Sequence, residues 1–265
     1  MHYEIIYPSS ILQTYIKQYW YMEIDAIEAT AQSQRLIPTG CIEMCFQFAE
    51  GLLTDKNNLQ ALASVSGQKN SFKDITPKGK LAMLTVQFYP HAARLFFPLP
   101  MSELQNQTLA LNELWGKEAS DLEEQLNNIK PLQQKITILD SFLTKRLIEN
   151  KLYDWNRMAY NIQVINLHKA EIGVNKLAET ACLSRKQYER IFKEFVGLSP
   201  KQFLKTVRFQ YSLYLQQHKK AENIADLAFQ SGYYDQAHMT NEYKEFSGLS
   251  PKQYFSGCDA VSDYF

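Results

Sequence analysis

The sequence predicts an α+β chain in two parts: an antiparallel β-barrel or sandwich with trailing helices, then an all-α region built from a duplicated module. Two observations carry this reading. Apolar residues recur with a period of two through the first part of the chain and with helical spacing from about Ser102 onward. A segment starting at Phe192 returns at Tyr243. The length of 265 residues suits two domains, at about 100–200 residues each.

In Cys41–Phe48, the residues Ile42, Met44, Phe46 and Phe48 alternate with Cys41, Glu43, Cys45 and Gln47, giving one apolar and one more polar face. Leu81–Tyr89 alternates likewise, with Ala82, Leu84, Val86 and Phe88 sharing a face. Pro38-Thr-Gly40, Asp55-Lys-Asn-Asn58 and Pro77-Lys-Gly79 supply turn chemistry between such runs. Further on, Leu122, Leu126 and Ile129 fit one helical face, and Leu132, Ile136, Leu139, Leu143 and Leu147 fit another. Pro131 is expected between these two helices, since a proline inside a helix removes a hydrogen bond and clashes with the preceding turn. The stripe either packs on the β part or forms a dimer seam. The junction is placed at Asn150–Asn156, giving units of 1–150 and 158–256.

Composition narrows the class. With 45% hydrophobic and 13% aromatic residues the chain can bury real cores, which excludes wholesale disorder. The apolar runs are short and interrupted, far below the ~20 residues of a membrane helix. The opening Met1-His-Tyr-Glu-Ile-Ile-Tyr-Pro8 has neither the basic nor the apolar region of a secretory leader. Cys41, Cys45, Cys182 and Cys258 form no CxxC pair. A reducing cytoplasm is the expected setting, with no membrane partner. Basic and acidic side chains number 28 each, so net charge points to no partner. Their distribution does: residues 1–159 carry 15 basic and 17 acidic side chains, residues 160–256 carry 13 and 9. A polyanion is expected on the C-terminal part.

The repeat is the most informative feature. Phe192-Lys-Glu-Phe-Val-Gly-Leu-Ser-Pro-Lys-Gln-Phe203 returns as Tyr243-Lys-Glu-Phe-Ser-Gly-Leu-Ser-Pro-Lys-Gln-Tyr254, with nine of twelve positions identical at an offset of 51. Each copy reads as helix, turn, helix. In the first, Val174, Leu177, Ala178 and Ala181 have helical spacing, and Cys182-Leu183 turns the chain. Ser184 and Gln187 then form a capping box, in which each side chain serves the other's backbone N–H. Tyr188, Ile191, Phe192 and Phe195 lie on the inner face of the helix so started, and Lys186, Arg190 and Lys193 on the outer face, flanked by Glu189. Gly197 stops it, and Ser199-Pro200 starts the next. In the second copy Ile224, Leu227 and Ala228 form the first helix, Gly232 the turn and Asp235 the cap. Met239, Tyr243 and Phe246 face inward; Gln236, Ala237, Asn241 and Lys244 face outward beside His238.

A short helix, a tight turn and a capped helix with a polar outer stripe is the helix-turn-helix plan, in which the second helix enters the major groove. A solvated bundle face is the alternative for each helix alone; the duplication favours DNA. Pro200–His218 has no internal proline or glycine and carries Phe203, Leu204, Val207, Tyr211, Tyr214 and Leu215 at helical spacing. Its nineteen residues predict a rod of roughly 28 Å, near the ~34 Å between successive major-groove faces. Lys205 and Arg208 on that rod either contact phosphate or pair with carboxylates; Lys201 and Lys252 are further phosphate candidates.

At these residues the sequence resembles the AraC/XylS family of bacterial transcription regulators, most closely over Ile224–Tyr254 and in all over about 158–255. The resemblance implies two helix-turn-helix modules on a linker helix, bound to one face of double-stranded promoter DNA. It implies Lys186, Glu189 and Arg190 as base-reading candidates in the first module, and Gln236, Ala237, His238 and Asn241 in the second. With Ser184, Lys193, Lys201, Arg208 and Lys244 these make up the expected DNA-binding set. Two departures stand out. Asn241-Glu242 replaces a pattern that is often basic, which implies weaker or different base reading. Cys182 replaces a usual turn glycine.

The N-terminal part resembles the family's cupin-like sensor region at Arg35–Phe46 and Phe88–Phe96. That implies a β-barrel which encloses a small-molecule effector, helices that form a homodimer, and contact with RNA polymerase if the protein is an activator. A constitutive regulator whose barrel only dimerises is the first alternative, and a catalytic cupin-like domain fused to a DNA-binding module the second. A metal-dependent cupin would want several histidines with a carboxylate, whereas residues 1–160 hold only His2 and His91. His91 is expected in a structural turn or at the surface. No metal, cofactor or catalytic residue is expected. Glu43, Gln47 and Arg35 face either an effector or solvent.

Overall fold

The period-two segments become strands in two antiparallel sheets. The computed structural model describes residues 2–25, 34–49, 52–54, 60–77, 79–147, 152–258, 262 and 264–265. Its strands are β1 (His2–Ile6), β2 (Ile16–Ile24), β3 (Gln34–Leu36), β4 (Ile42–Gln47), β5 (Leu52–Thr54), β6 (Ala63–Ser66), β7 (Lys73–Pro77), β8 (Leu81–Phe88) and β9 (Thr108–Ala110). One sheet runs β1-β2-β8-β4-β6-β9, the other β3-β7-β5. The barrel is therefore an open pair of sheets. The expected turn at Asp55–Asn58 lies outside the described residues, as does Lys78 of the turn after β7.

Register decides what each face meets. Glu43 sits opposite Gln87 and Ser66, and Cys45 opposite Thr85 and Ser64, so polar positions line up across the large sheet. Their neighbours Ile42, Met44, Phe46, Leu84, Val86 and Phe88 are almost fully buried against the helical side. The polar face is not solvated, however: Thr85, Gln87 and Gln47 are buried too. It turns toward the small sheet, with Met22, Leu52, Ile75 and Met83 forming a minor core between the layers.

The helices are α1 (Leu111–Trp115), α2 (Lys117–Asn128), α3 (Leu132–Arg146), α4 (Leu152–Leu167), α5 (Val174–Thr180), α6 (Arg185–Val196), α7 (Pro200–Gln217), α8 (Ile224–Gln230), α9 (Gln236–Ser247) and α10 (Pro251–Gly257). Pro131 is the N-cap residue of α3, between two helices as expected. The stripe Leu122, Leu126, Ile136, Leu139 and Leu143 belongs to the main core, and Asp140 of α3 accepts a hydrogen bond from the buried Tyr19 hydroxyl of β2. Of the expected junction, Asn150 and Lys151 lie outside the described residues, and 152–156 open helix α4.

The main core does not stop at the sheets. One continuous cluster runs from Phe46 and Phe88 through Phe96, Phe97, Met101 and Leu104 into Tyr188, Phe192, Phe195 and Phe203. The bridge is made by two 3-10 turns, Ala93–Leu95 and Met101–Leu104. Each fully buried phenylalanine there contributes roughly 1.5–3 kcal/mol. The second module has its own core of Phe209, Leu213, Leu227, Met239, Tyr243 and Phe246. It meets the β part through the half-buried Ile37, which packs against this core, and through polar contacts: Gln210 donates to the Pro38 carbonyl at 2.7 Å, and Arg35 to the Ser247 carbonyl at 2.9 Å.

Of the two settings expected for His91, the structure shows the turn and not the surface. His91 is buried beside Tyr89 and Trp155, and desolvation pulls its imidazole down to about 4. It is a neutral histidine inside the core.

Candidate nucleic-acid interface

Each recognition helix starts where the sequence says it must. Ser184 accepts from the Gln187 backbone N–H, while the Gln187 side chain accepts from the Ser184 N–H at 3.2 Å. Asp235 accepts from the His238 N–H at 2.7 Å. A lost cap of this kind costs ~1 kcal/mol. Gly197 and Gly248 end α6 and α9 in left-handed conformation, at φ +90° and +73°. Ser199 and Ser250 rebuild the same box at the next helix. The turns differ: Gly232 takes φ +75°, and its counterpart Cys182 is held at φ +54°. Asn223 caps α8, accepting from the Asp226 N–H at 3.0 Å, and the Asn-x-x-Asp spacing is the local signal for it.

The linker is one unbroken helix, α7, eighteen residues from Pro200 to Gln217 with His218 as its C-cap. At ~1.5 Å per residue it spans about 27 Å. Tyr211 and Tyr214 stack on each other at 6.0 Å, and Tyr211 is buried, so this pair packs the rod.

The outer faces hold most of the expected set. Lys186, Arg190 and Lys193 are exposed on α6, Gln236, Ala237, Asn241 and Lys244 on α9, and Lys201 at the start of α7. Arg190 reaches Glu194 only at 4.0 Å and is 70% exposed, so its guanidinium is available to a ligand. Glu189 is already engaged, accepting from Arg185 Nε at 2.9 Å; Arg185 also reaches Asn175 at 3.3 Å. The i,i+4 spacing of Arg185 and Glu189 was the available signal for this pair. Ser184 is spent on its cap.

Three residues sit differently from a simple outward reading. Arg208 donates to both carboxylate oxygens of Glu242, at 2.7 and 3.3 Å, with the Tyr233 ring 5.0 Å from its guanidinium. Of the two alternatives for Arg208, phosphate or carboxylate, the fold takes the carboxylate. Lys205 likewise pairs with Glu245 at 3.0 Å. Glu242 is 2% exposed and also faces His238 Nε2 at 3.2 Å. Its carboxylate is therefore turned inward, away from the outer face of α9. His238 Nδ1 accepts from the Tyr234 N–H at 3.4 Å, which fixes Nε2 as the protonated nitrogen facing Glu242. Tyr234 itself, 93% exposed immediately before the Asp235 cap, is a surface aromatic that periodicity does not single out.

Among the described residues no group of three or more histidine, cysteine or acidic side chains could hold a metal, and no helix is long and apolar enough to cross a membrane.

Residues 177–257 match the family model described as helix-turn-helix domain, and residues 4–110 one described as domain of unknown function (DUF6597). An uncharacterized HTH-type transcriptional regulator of Haemophilus influenzae is 31% identical over 123 residues, 45% of this chain and 41% of that protein. YdeC of Bacillus subtilis, also an uncharacterized HTH-type transcriptional regulator, is 24% identical over 163 residues, 55% of each chain. The matches span about half the length of these curated relatives. Among solved structures, ToxT of Vibrio cholerae O395 aligns with a TM-score of 0.48 at 13% identity, over 91% of this chain and 97% of that one. Residues 177–257 of this chain therefore form a helix-turn-helix domain, and the curated proteins similar to the chain are HTH-type transcriptional regulators.

Proposed function

We propose that the protein is a sequence-specific DNA-binding transcription regulator whose N-terminal half, residues 1–150, responds to a small molecule, and whose residues 158–256 bind promoter DNA. The observation that carries this is the pair of capped helices, α6 and α9, held by the unbroken α7. In this reading Arg190 and Asn241, at equivalent positions of the two copies, read base edges: arginine pairs with guanine and asparagine with adenine through two hydrogen bonds each. Lys186, Gln236, Ala237 and His238 complete the reading surface. Lys193, Lys201 and Lys244 hold phosphate, and the N–H groups at the helix starts add to that field.

The mechanism is positioning rather than catalysis. Ligand binding between the sheets shifts the population of arrangements in which the two modules can engage one duplex. The protein acts in the cytoplasm as a homodimer, and contacts RNA polymerase where it activates. Selection of bound fragments from genomic DNA, followed by gel-shift titration, tests this. A reproducible set of fragments bound well above random duplex is expected. Equal binding to all duplexes, at low salt and in the presence of cell extract, would overturn it.

A further inference from the structure

The polar face of the large sheet poses a question of its own, since it carries ionisable groups into the interior. Alternation turns Glu43, Cys45 and Thr85 of the large sheet and Lys73 and Ile75 of the small one toward each other. Between them lies a chamber of about 60 Å³, with Trp20, Leu36, Leu52, Ile75 and Met83 as its apolar wall. It adjoins a wider groove of about 650 Å³, and Gln60, Lys69, Lys73 and Thr108 border both. Both lysines therefore stand at the neck between an apolar chamber and open solvent.

Charge at this neck is unbalanced. Glu43 is the one carboxylate among the described chamber residues, and it already accepts from Gln87 at 3.3 Å. Among the described residues no hydrogen bond or ion pair holds the Lys69 or Lys73 ammonium. Desolvation pulls Lys69 below the ordinary lysine value, Lys73 pushes the same way, and the attraction of Glu43 opposes both. Lys69 and Lys73 are half-buried; a cation partly withdrawn from water without a partner is costly, and an anion at the neck would relieve that cost. Size sets the rest. The chamber has room for roughly four water-sized groups, enough for a short branched chain but not for a benzene ring.

We infer that the neck and chamber together bind a small organic carboxylate, its carboxylate between Lys69 and Lys73 and its short apolar body against Trp20, Ile75 and Met83. This rests on the reading of the N-terminal half as the ligand-responsive part and names the ligand's class. An acid should bind where its uncharged isostere does not, since the amide leaves the two ammonium groups uncompensated.

Titration calorimetry of the full chain with 3-methylbutanoate and 4-methylpentanoate, against 3-methylbutanamide and 4-methylpentanamide, tests this directly. Each acid is expected to bind at least ~10-fold more tightly than its amide, a difference of about 1.4 kcal/mol. Lys69→Met is expected to abolish that preference; should this variant fail to fold, Lys73→Gln is expected to reduce it and carries the test. Hexadecanoate, too long for the chamber, is expected to bind no better than 3-methylbutanoate, and inorganic phosphate alone more weakly than either short acid. Equal binding of acids and amides, no binding of any acid, tightest binding of hexadecanoate or phosphate, or full acid preference in the folded lysine variants would each overturn the inference. Gel shifts of the ligand-free protein on its selected fragments report separately on DNA binding, so a failure there and a failure here are told apart.

Discussion

Replacing Cys182 by glycine should make the protein more stable, and the size of the gain follows from the turn it occupies. Cys182 is exposed and held at φ +54°, where its Cβ crowds the following carbonyl. A residue bearing a Cβ pays ~1–2 kcal/mol for that conformation. Glycine removes the strain but returns ~0.4–1 kcal/mol to the unfolded chain as conformational freedom. The net gain is about 0.8 kcal/mol, or a rise of about 2 °C in Tm for a chain of this size. The second module supplies the mirror experiment. Gly232 sits at φ +75°, and a Cβ there would approach Glu171 Cγ at 2.8 Å, so Gly232→Ala should lose a similar amount or somewhat more. Urea and thermal denaturation of both variants against the parent measure this. A Cys182→Gly protein no more stable than the parent, beside a Gly232→Ala protein no less stable, would refute the strain argument.

The other predictions concern charge. Arg208→Ala strands the buried Glu242 and should cost about 3 kcal/mol of stability, whereas Lys205→Ala, at an exposed pair, should cost under about 1 kcal/mol; comparable denaturation midpoints for the two would contradict this assignment. Arg190→Ala should leave stability unchanged, weaken the selected DNA site by ~1–3 kcal/mol and relax preference at one base, as read by site selection on the variant. Lys201→Ala should weaken all duplexes alike and lower the slope of log affinity against log salt by about 1; an unaltered slope would exclude a phosphate contact. His91 stays neutral in the folded state down to about pH 4 but takes a proton near 6.5 when unfolded. Its contribution is complete above pH 6.5 and is lost as pH falls toward 4, about 3 kcal/mol in all. His91→Phe should flatten denaturation midpoints across that window, and an unchanged pH slope would place the acid sensitivity elsewhere.

Most of the helical part could be read from the chain because its signals are local. The Ser-x-x-Gln boxes at 184, 199 and 250, the glycines at 197 and 248, and the uninterrupted run from Pro200 each act within a few residues. What sequence could not supply is partner choice across long separations. Arg208 and Glu242 lie 34 residues apart, and only packing of α7 on α9 reveals that they meet. The β part hid more. Alternation at Glu43 and Gln47 reports two faces but not what covers them, and a second sheet made both interior. His91 does lie in a turn, one of its two expected settings, but its burial beside Trp155 of α4 depends on a residue far along the chain.

The seam between the cores of the two modules falls within a single turn of α7, between Val207 and Phe209. The first reading helix is thus welded to the β part through Phe96, Phe97 and Met101, while the second module is held more lightly, through Ile37, Gln210 and Arg35. Any signal arriving from between the sheets acts on a lever with one fixed jaw and one free, and Arg35, paired with Asp74 beside the chamber and touching the end of α9, stands where the free jaw is gripped. Cutting the chain near residue 158 would also tear that weld, leaving an oily scar on α6.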